Sequence, residues 1–299
     1  MQSTALKEKN IVIHLNNLFQ LMKPRVMSLV IFTCVCGMLI APIQINFVNA
    51  ALSLIAVAIG AGAAGCLNMW YEADLDALMT RTCLRPIPSG KITKNQALIF
   101  GLITSIFSVF ALYFFSNLLS AIMLTITILF YVVIYTMWLK KRTPQNIVIG
   151  GAAGAFPPII GWTIATNYIG IEPIVLFLII FFWTPSHFWA LSLYKTQDYS
   201  NARIPMLPVV AGVQKTKINI FIYSIILFFV SIIPIFFSNF GLIYLISSIV
   251  LGAYYVYLCY KLLLENKDSN EKAISKKIFF YSILYLFLIF SVILIDSLI

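Results

Sequence analysis

The chain has 299 residues, of which 61% are hydrophobic and only 10% are charged, with a net charge of +10. A soluble domain carries roughly 25% charged residues, so these charges cannot coat a water-facing surface, and the long apolar runs suit lipid. The basic excess could serve nucleic acid or membrane topology, and the positions of the lysines and arginines decide between the two.

The first 24 residues are polar and mixed and end in Lys23 and Pro24. They read as a cytoplasmic N-terminal segment, 1–24, with no cleavable signal peptide expected. Nine apolar runs of spanning length come after it, at 25–43, 47–70, 95–115, 118–138, 145–166, 173–193, 216–237, 241–263 and 277–297. Each is close to the ~20 residues that cross a hydrocarbon core as a helix. The expected fold class is all-α: a polytopic membrane protein whose residues 25–299 form a single transmembrane domain.

The loops between these runs alternate in character. Pro42 to Asn46, Phe115 to Asn117, Thr166 to Gly170 and Ser238 to Gly241 are short and contain no Lys or Arg. All 20 basic residues lie elsewhere. Lys7, Lys9, Lys23 and Arg25 are N-terminal. Arg81, Arg85, Lys91 and Lys94 follow run two, and Lys140, Lys141 and Arg142 follow run four. Lys195, Arg203, Lys215 and Lys217 follow run six, and Lys261, Lys267, Lys272, Lys276 and Lys277 end or follow run eight. With nine alternating spans, every one falls on one side. The positive-inside rule makes that side cytoplasmic, with the N-terminus in and the C-terminus out. No basic arm is left for nucleic acid. The five cysteines form no CxxC pair, so no zinc site or disulfide framework is expected.

The ten acids can be sorted one by one. Glu172 and Asp296 fall on the outer side, and Glu8, Glu265, Asp268 and Glu271 read as solvated loop charges. Glu72, Asp74, Asp76 and Asp198 remain. On a helix, Asn68, Glu72 and Asp76 lie within an arc of about 80° and form one polar stripe. Asp74 points elsewhere, toward a salt bridge. The stripe is either a solvated helix end or a site for a cation. Asn68 still lies within an apolar run, where polar groups are expensive. Acids at a helix C-terminus also oppose its dipole and call for a cation. Oxygen donors of this kind suit Mg²⁺ with phosphate. The Arg81 to Lys91 loop directly after the stripe suggests an anion held between metal and basic side chains. Asp198 repeats the design after run six, beside Lys195 and Arg203. His187, within run six, is either a hydrogen-bonded structural histidine or a functional one. Two small-residue stretches, Gly60 to Gly65 and Gly150 to Ala155, serve either close helix packing or room for a large apolar acceptor.

These segments resemble the intramembrane prenyltransferase superfamily of UbiA type. Asn68, Glu72 and Asp76 match its first motif, Asn-x3-Asp-x3-Asp, with one Glu for Asp. Lys23-Pro24-Arg25, Asn68 through Gly90, Lys140 through Pro158 and Pro185 through Pro208 carry the likeness over nearly the whole chain. Arg81-Thr-x-x-Arg85-Pro-x-Pro-Ser-Gly90 and Pro185-Ser-His187-Phe-Trp189 point to the branch that farnesylates heme B. The second motif departs from the family's Asp-x3-Asp: Tyr194 stands at the earlier position and only Asp198 remains. Asp198 then either shares a metal ion or orients Lys195 or Arg203.

The resemblance implies a nine-helix bundle in the cell membrane, with its active site facing the cytoplasm. It implies Mg²⁺ held by Asn68, Glu72, Asp76 and Asp198 on the diphosphate of farnesyl diphosphate. Arg81, Arg85, Lys140, Arg142, Lys195 and Arg203 are then the diphosphate-binding candidates. The acceptor it implies is heme B, prenylated at a vinyl group with addition of water. His187 is a candidate heme contact. Tyr135 is a candidate cation contact or a membrane-interface tyrosine. Other membrane enzymes of heme biosynthesis are candidate partners. The rival readings are a prenyltransferase acting on a quinone precursor, a transporter coupled through intramembrane acids, and a structural subunit of a respiratory complex. A transporter predicts ionisable groups near the bilayer midplane, whereas here, apart from His187, the charged residues collect at the interfaces, all but Glu172 and Asp296 at the same one.

Overall fold

The computed structural model describes residues 2–236 and 240–297, without the side chains of residues 2–11 and Arg25. Ser238 and Asn239 of the last short loop, and the side chains of Lys7, Lys9 and Arg25, therefore lie outside the described residues. Lipid offers no partner to a backbone amide, so each apolar run closes its own hydrogen bonds as a helix. No strand occurs among the described residues.

The helices are α1 (Gln2–Leu21), α2 (Pro24–Leu39), α3 (Phe47–Tyr71), the short α4 (Ala73–Ala77), α5 (Lys94–Phe115) and α6 (Leu118–Leu129). Then come α7 (Asn146–Ala155), α8 (Pro157–Thr166), α9 (Ile171–Tyr194), the short α10 (Thr196–Asn201) and α11 (Leu207–Ala211), α12 (Val213–Val230), α13 (Leu242–Leu264) and α14 (Asp268–Ser297). Among the described residues, eight helical segments are long and apolar enough to cross a membrane. The pair Val12–Leu21 and Val26–Leu39, bent by 59°, is a ninth if counted as one span.

Side chains fix several starts. Asn46 accepts from the Val48 N–H at 2.9 Å, and Asn117 accepts from the Ser120 N–H at 2.9 Å. Thr93 and Gln96 close a reciprocal capping box at the head of α5.

The elements differ from the expected runs in four places. The N-terminal segment, read as polar, forms α1, with Asn17 and Leu21 buried. Run four changes register at Phe130, where α6 passes into a ten-residue π-helix ending at Leu139. Run five breaks at Phe156 into α7 and α8, because Pro157 and Pro158 have no N–H to continue the ladder. Run nine starts earlier, at Asp268. Its first turn holds Asp268 and Glu271, which suit a helix N-terminus, and Glu271 is 2.6 Å from Lys217 of α12.

Two apolar clusters form the interior. One joins α9, α12, α13 and α14 around Trp189, Tyr255 and Phe290. The other joins α2, α3, α6 and α8 around Val57, Leu124 and Ile160. Lipid is as apolar as leucine, so close contact between helices matters more than burial. At the crossing of α2 and α8, a Cβ on Gly37 would enter the Pro158 carbonyl, and one on Gly161 would enter the Cys34 carbonyl. Phe107, Phe110 and Phe114 of the peripheral α5 are exposed, as lipid-facing side chains are.

Substituting Gly161→Val should destabilise the bundle by about 3 kcal/mol through overpacking, read as thermal unfolding in detergent. Gly154→Ala, where a Cβ meets nothing within 4 Å, should be neutral or gain up to ~1 kcal/mol of helix propensity.

Candidate active site

The site is built where α3 runs out. The Glu72 N–H donates to the Asn68 carbonyl at 3.0 Å, and the Asp76 N–H donates to the Glu72 carbonyl at 2.8 Å. The expected stripe therefore survives, although the helix ends at Tyr71 and restarts as α4. Asn68, Glu72 and Asp76 are each only 3% exposed.

Buried oxygens at a helix C-terminus need positive charge, and each of these has it. Lys23 Nζ donates to Asn68 Oδ1 at 2.6 Å. Lys140 Nζ donates to Glu72 Oε2 at 2.6 Å. Arg85 Nη1 donates to Asp76 Oδ2 at 2.7 Å. The three cations come from three places: the bend between α1 and α2, the end of the π-helix, and the loop after α4. Lys23 has φ 53°, the left-handed region that non-glycine residues seldom occupy. Lys140 follows the π-helix directly, its N–H donating to the Tyr135 carbonyl at 3.0 Å.

Two threonines complete the first motif. Asn68 Nδ2 donates to Thr136 Oγ1 at 3.0 Å. Thr82 Oγ1 donates to the Asp76 carbonyl at 2.9 Å. A third joins the motifs: Thr80 Oγ1 lies 2.9 and 3.0 Å from the two carboxylate oxygens of Asp198, whose side chain is buried at the start of α10. The apolar cluster of Met79, Ile147, Tyr199, Ala202, Ile204 and Met206 binds the same two segments together.

Arg81, Arg142 and Arg203 are exposed and Lys195 is half-buried. Among the described residues none of the four pairs with an acid. Asp198 accepts from Thr80 rather than from Lys195 or Arg203. Arg203 has φ 51°, and the Ile204 N–H reaches back to the Tyr199 carbonyl at 3.0 Å, so arginine stands where a helix end usually takes glycine. It lines an open pocket of ≈ 410 Å³ with Leu75, Leu78, Lys141, Asn201 and Ala202. Asp74 forms the expected salt bridge, 2.8 Å from Lys94, in an exposed position.

His187 is buried. Trp183 and Phe279 stack on its two faces at 4.2 and 4.6 Å, and Nδ1 is 2.6 Å from Ser282 Oγ. That is the environment of a hydrogen-bonded structural histidine, about two helical turns from the end of α9. The Tyr135 ring lies 5.9 Å from Lys140 Nζ and packs on Gly150. A Cβ at Gly60, Gly62 or Gly151 would likewise meet Leu124, Met22 or Thr184 within 3 Å. These stretches serve helix packing, and only Gly154 among them adjoins open space.

The donors form no preformed cage: among the described residues, no three His, Cys, Asp or Glu side chains group closely enough to hold a metal ion. The chemistry of the donors nevertheless fits a magnesium ion. All are hard oxygens, and the Glu72 carboxylate is buried with both oxygens 2.6 Å from Lys140 Nζ, its cationic partner. Mg²⁺ needs only one or two carboxylates when substrate phosphates and water complete its shell.

An oxygen row facing lysine and arginine at one end of a helical bundle suits an enzyme that handles a diphosphate. The UbiA prenyltransferase family model matches residues 29–284, and the chain belongs to that family. Among its relatives, the protoheme IX farnesyltransferase of Pelagibacter ubique is 59% identical over 303 residues, covering 99% of each chain. That of Parvibaculum lavamentivorans is 51% identical, covering 93% of this chain and 88% of its own. Solved structures share the fold. A digeranylgeranylglyceryl phosphate synthase aligns with TM-score 0.78 at 19% identity, over 95% of this chain and 98% of its own. A UbiA homologue from Archaeoglobus fulgidus, bound to GPP and Mg²⁺, aligns with TM-score 0.67 at 15% identity, over 93% and 99%.

Replacing Lys140 by Met strands the Glu72 carboxylate in a buried position. The variant should lose about 3 kcal/mol of stability, measured by thermal unfolding without added metal, whereas Lys94→Met at the exposed pair should lose less than ~1 kcal/mol.

Proposed function

We propose that the chain transfers a farnesyl group from farnesyl diphosphate to a vinyl group of heme B, with addition of water, to give heme O and diphosphate. The observation that carries the reading is the buried row Asn68, Glu72 and Asp76, each oxygen facing a cation from another segment. Relatives at this level of identity named protoheme IX farnesyltransferase support the substrate pair. The basic end of the bundle, where the row opens, faces the cytoplasm by the distribution of Lys and Arg.

In this reading Asn68, Glu72, Asp76 and Asp198 would hold Mg²⁺ at the diphosphate. The chemistry a divalent ion supplies there is neutralisation of the leaving oxygens. Lys23, Lys140 and Arg85 sit on flexible stems. With those donors on an ion, these three would be free to meet the diphosphate, so no buried charge would be left unpaired. Arg81, Arg142, Lys195 and Arg203 have no acid to leave and meet the remaining anionic oxygens directly. The allylic C–O bond breaks with its electron pair on the diphosphate. The vinyl π electrons form the new C–C bond, and water adds to the resulting carbocation and loses a proton. Tyr135, whose ring lies 5.9 Å from Lys140 Nζ, would be the aromatic group that stabilises the allylic cation. An apolar bundle keeps water from the farnesyl cation until the carbon bond is made. His187 stays a helix-packing residue in this scheme.

Purified protein supplied with heme B, farnesyl diphosphate and Mg²⁺ should convert the heme to heme O, read by mass. Hydroxybenzoate in place of heme B should yield no prenylated product. Unchanged heme from folded protein would sink the reading. Asp76→Ala should lower turnover at least ~100-fold, and full activity in that variant would remove the metal role.

A further inference from the structure

We propose that Thr136 is a positioning residue: it fixes the flip of the Asn68 side-chain amide so that Oδ1, and not Nδ2, is presented to the metal and diphosphate. The inference rests on the reading of Asn68 as an oxygen donor.

A threonine hydroxyl has a single proton to give. That of Thr136 goes to the Tyr131 carbonyl at 2.8 Å. Only lone pairs remain on Oγ1, so it can take an N–H but cannot donate to an amide oxygen. Asn68 must therefore turn Nδ2 toward Thr136, and it does, at 3.0 Å. The opposite edge faces Lys23 Nζ, which donates to Oδ1 at 2.6 Å. Both neighbours demand the same flip. They differ in what they leave for a metal ion: Lys23 would have to yield Oδ1 to it, whereas Thr136 would go on holding the amide from the Nδ2 side. Thr136 is fully buried, so no water can substitute for it.

The backbone register makes this possible. Thr136 stands five residues after Tyr131, within the π-helix that runs from Phe130 to Leu139. Five residues are about one turn of a π-helix. On an α-helix they would be rotated by about 140° from a shared face, and the hydroxyl would miss the carbonyl. The same register carries Lys140 to Glu72. π-turns recur at functional sites for this kind of local re-aiming.

The test is metal binding rather than turnover. Mn²⁺ replaces Mg²⁺ as an electron-paramagnetic probe, titrated into the full-length protein with inorganic pyrophosphate. Thr136→Val keeps the shape and removes the acceptor, and should raise the half-saturating Mn²⁺ concentration ~10-fold. Thr136→Ser keeps the hydroxyl and should bind within about 2-fold of the parent. Affinity for heme B, read by absorbance, should not move in either variant. Should the valine variant fail to fold, Thr136→Cys supplies a weak acceptor of similar size, and weaker Mn²⁺ binding is again expected. Parental Mn²⁺ binding in the folded Thr136 variants, with weakened binding in Asn68→Ala, would overturn the positioning role and leave the oxygen-donor reading of Asn68 standing. Parental binding in Asn68→Ala would overturn both.

Discussion

Carboxylates buried at the negative end of a helix cannot exist without compensating charge, and that constraint organises this protein. The free energy of stranding one such group is several kcal/mol, a large fraction of any protein's net stability. Glu72 and Asp76 therefore dictate where distant chain segments go. Lys140 arrives from the end of the fourth run and Arg85 folds back from the next loop. Lys23 reaches Asn68 from the N-terminal bend, at the expense of a left-handed backbone conformation. Three segments converge on one helix end because none of these side chains can be left alone.

The membrane sets the complementary rule. Burial of apolar surface does little to hold helices together when the solvent is itself apolar. Contact distance takes over, and glycine supplies it where α2 meets α8 through Gly37 and Gly161. Some interior aromatic polar atoms find partners, as Tyr244 donates to the Ser231 carbonyl and Trp183 to that of Ser282, whereas Nε1 of Trp162 and of Trp189 is buried without one. The frame is thus close-packed at the crossing of α2 and α8, and the charge cluster sits at the end of α3.

Much of this is legible in the residue order. Apolar run lengths and the one-sided basic residues carry the all-helical class, and a spacing of four carries the Asn68, Glu72 and Asp76 row. Lys23, Thr80 and Thr136 are not legible as site residues. Their partners are 45, 118 and 68 positions away, and no local pattern encodes such pairings. The π-helix is invisible for a related reason: a run that is apolar on every side shows no periodicity to reveal a shift of register. Pro157 and Pro158 are a readable break within the fifth run, masked by a total length that matches one span. The histidine in run six illustrates the converse. Its chemistry is conspicuous in a row of residues, yet its neighbours, Trp183, Phe279 and Ser282, make it part of the packing.

Arg203 occupies a backbone site that glycine would fill with less strain, by about 1 kcal/mol. A consensus or computational thermostabilisation of this chain would therefore choose glycine there, gain resistance to heat, and erase a guanidinium group that, among the described residues, pairs with no acid and lines the open pocket beside Leu75 and Leu78. If that pocket serves the proposed reaction, stability-ranked and activity-ranked libraries should diverge at this position, so that the divergence itself would report on the pocket's use without any bound ligand.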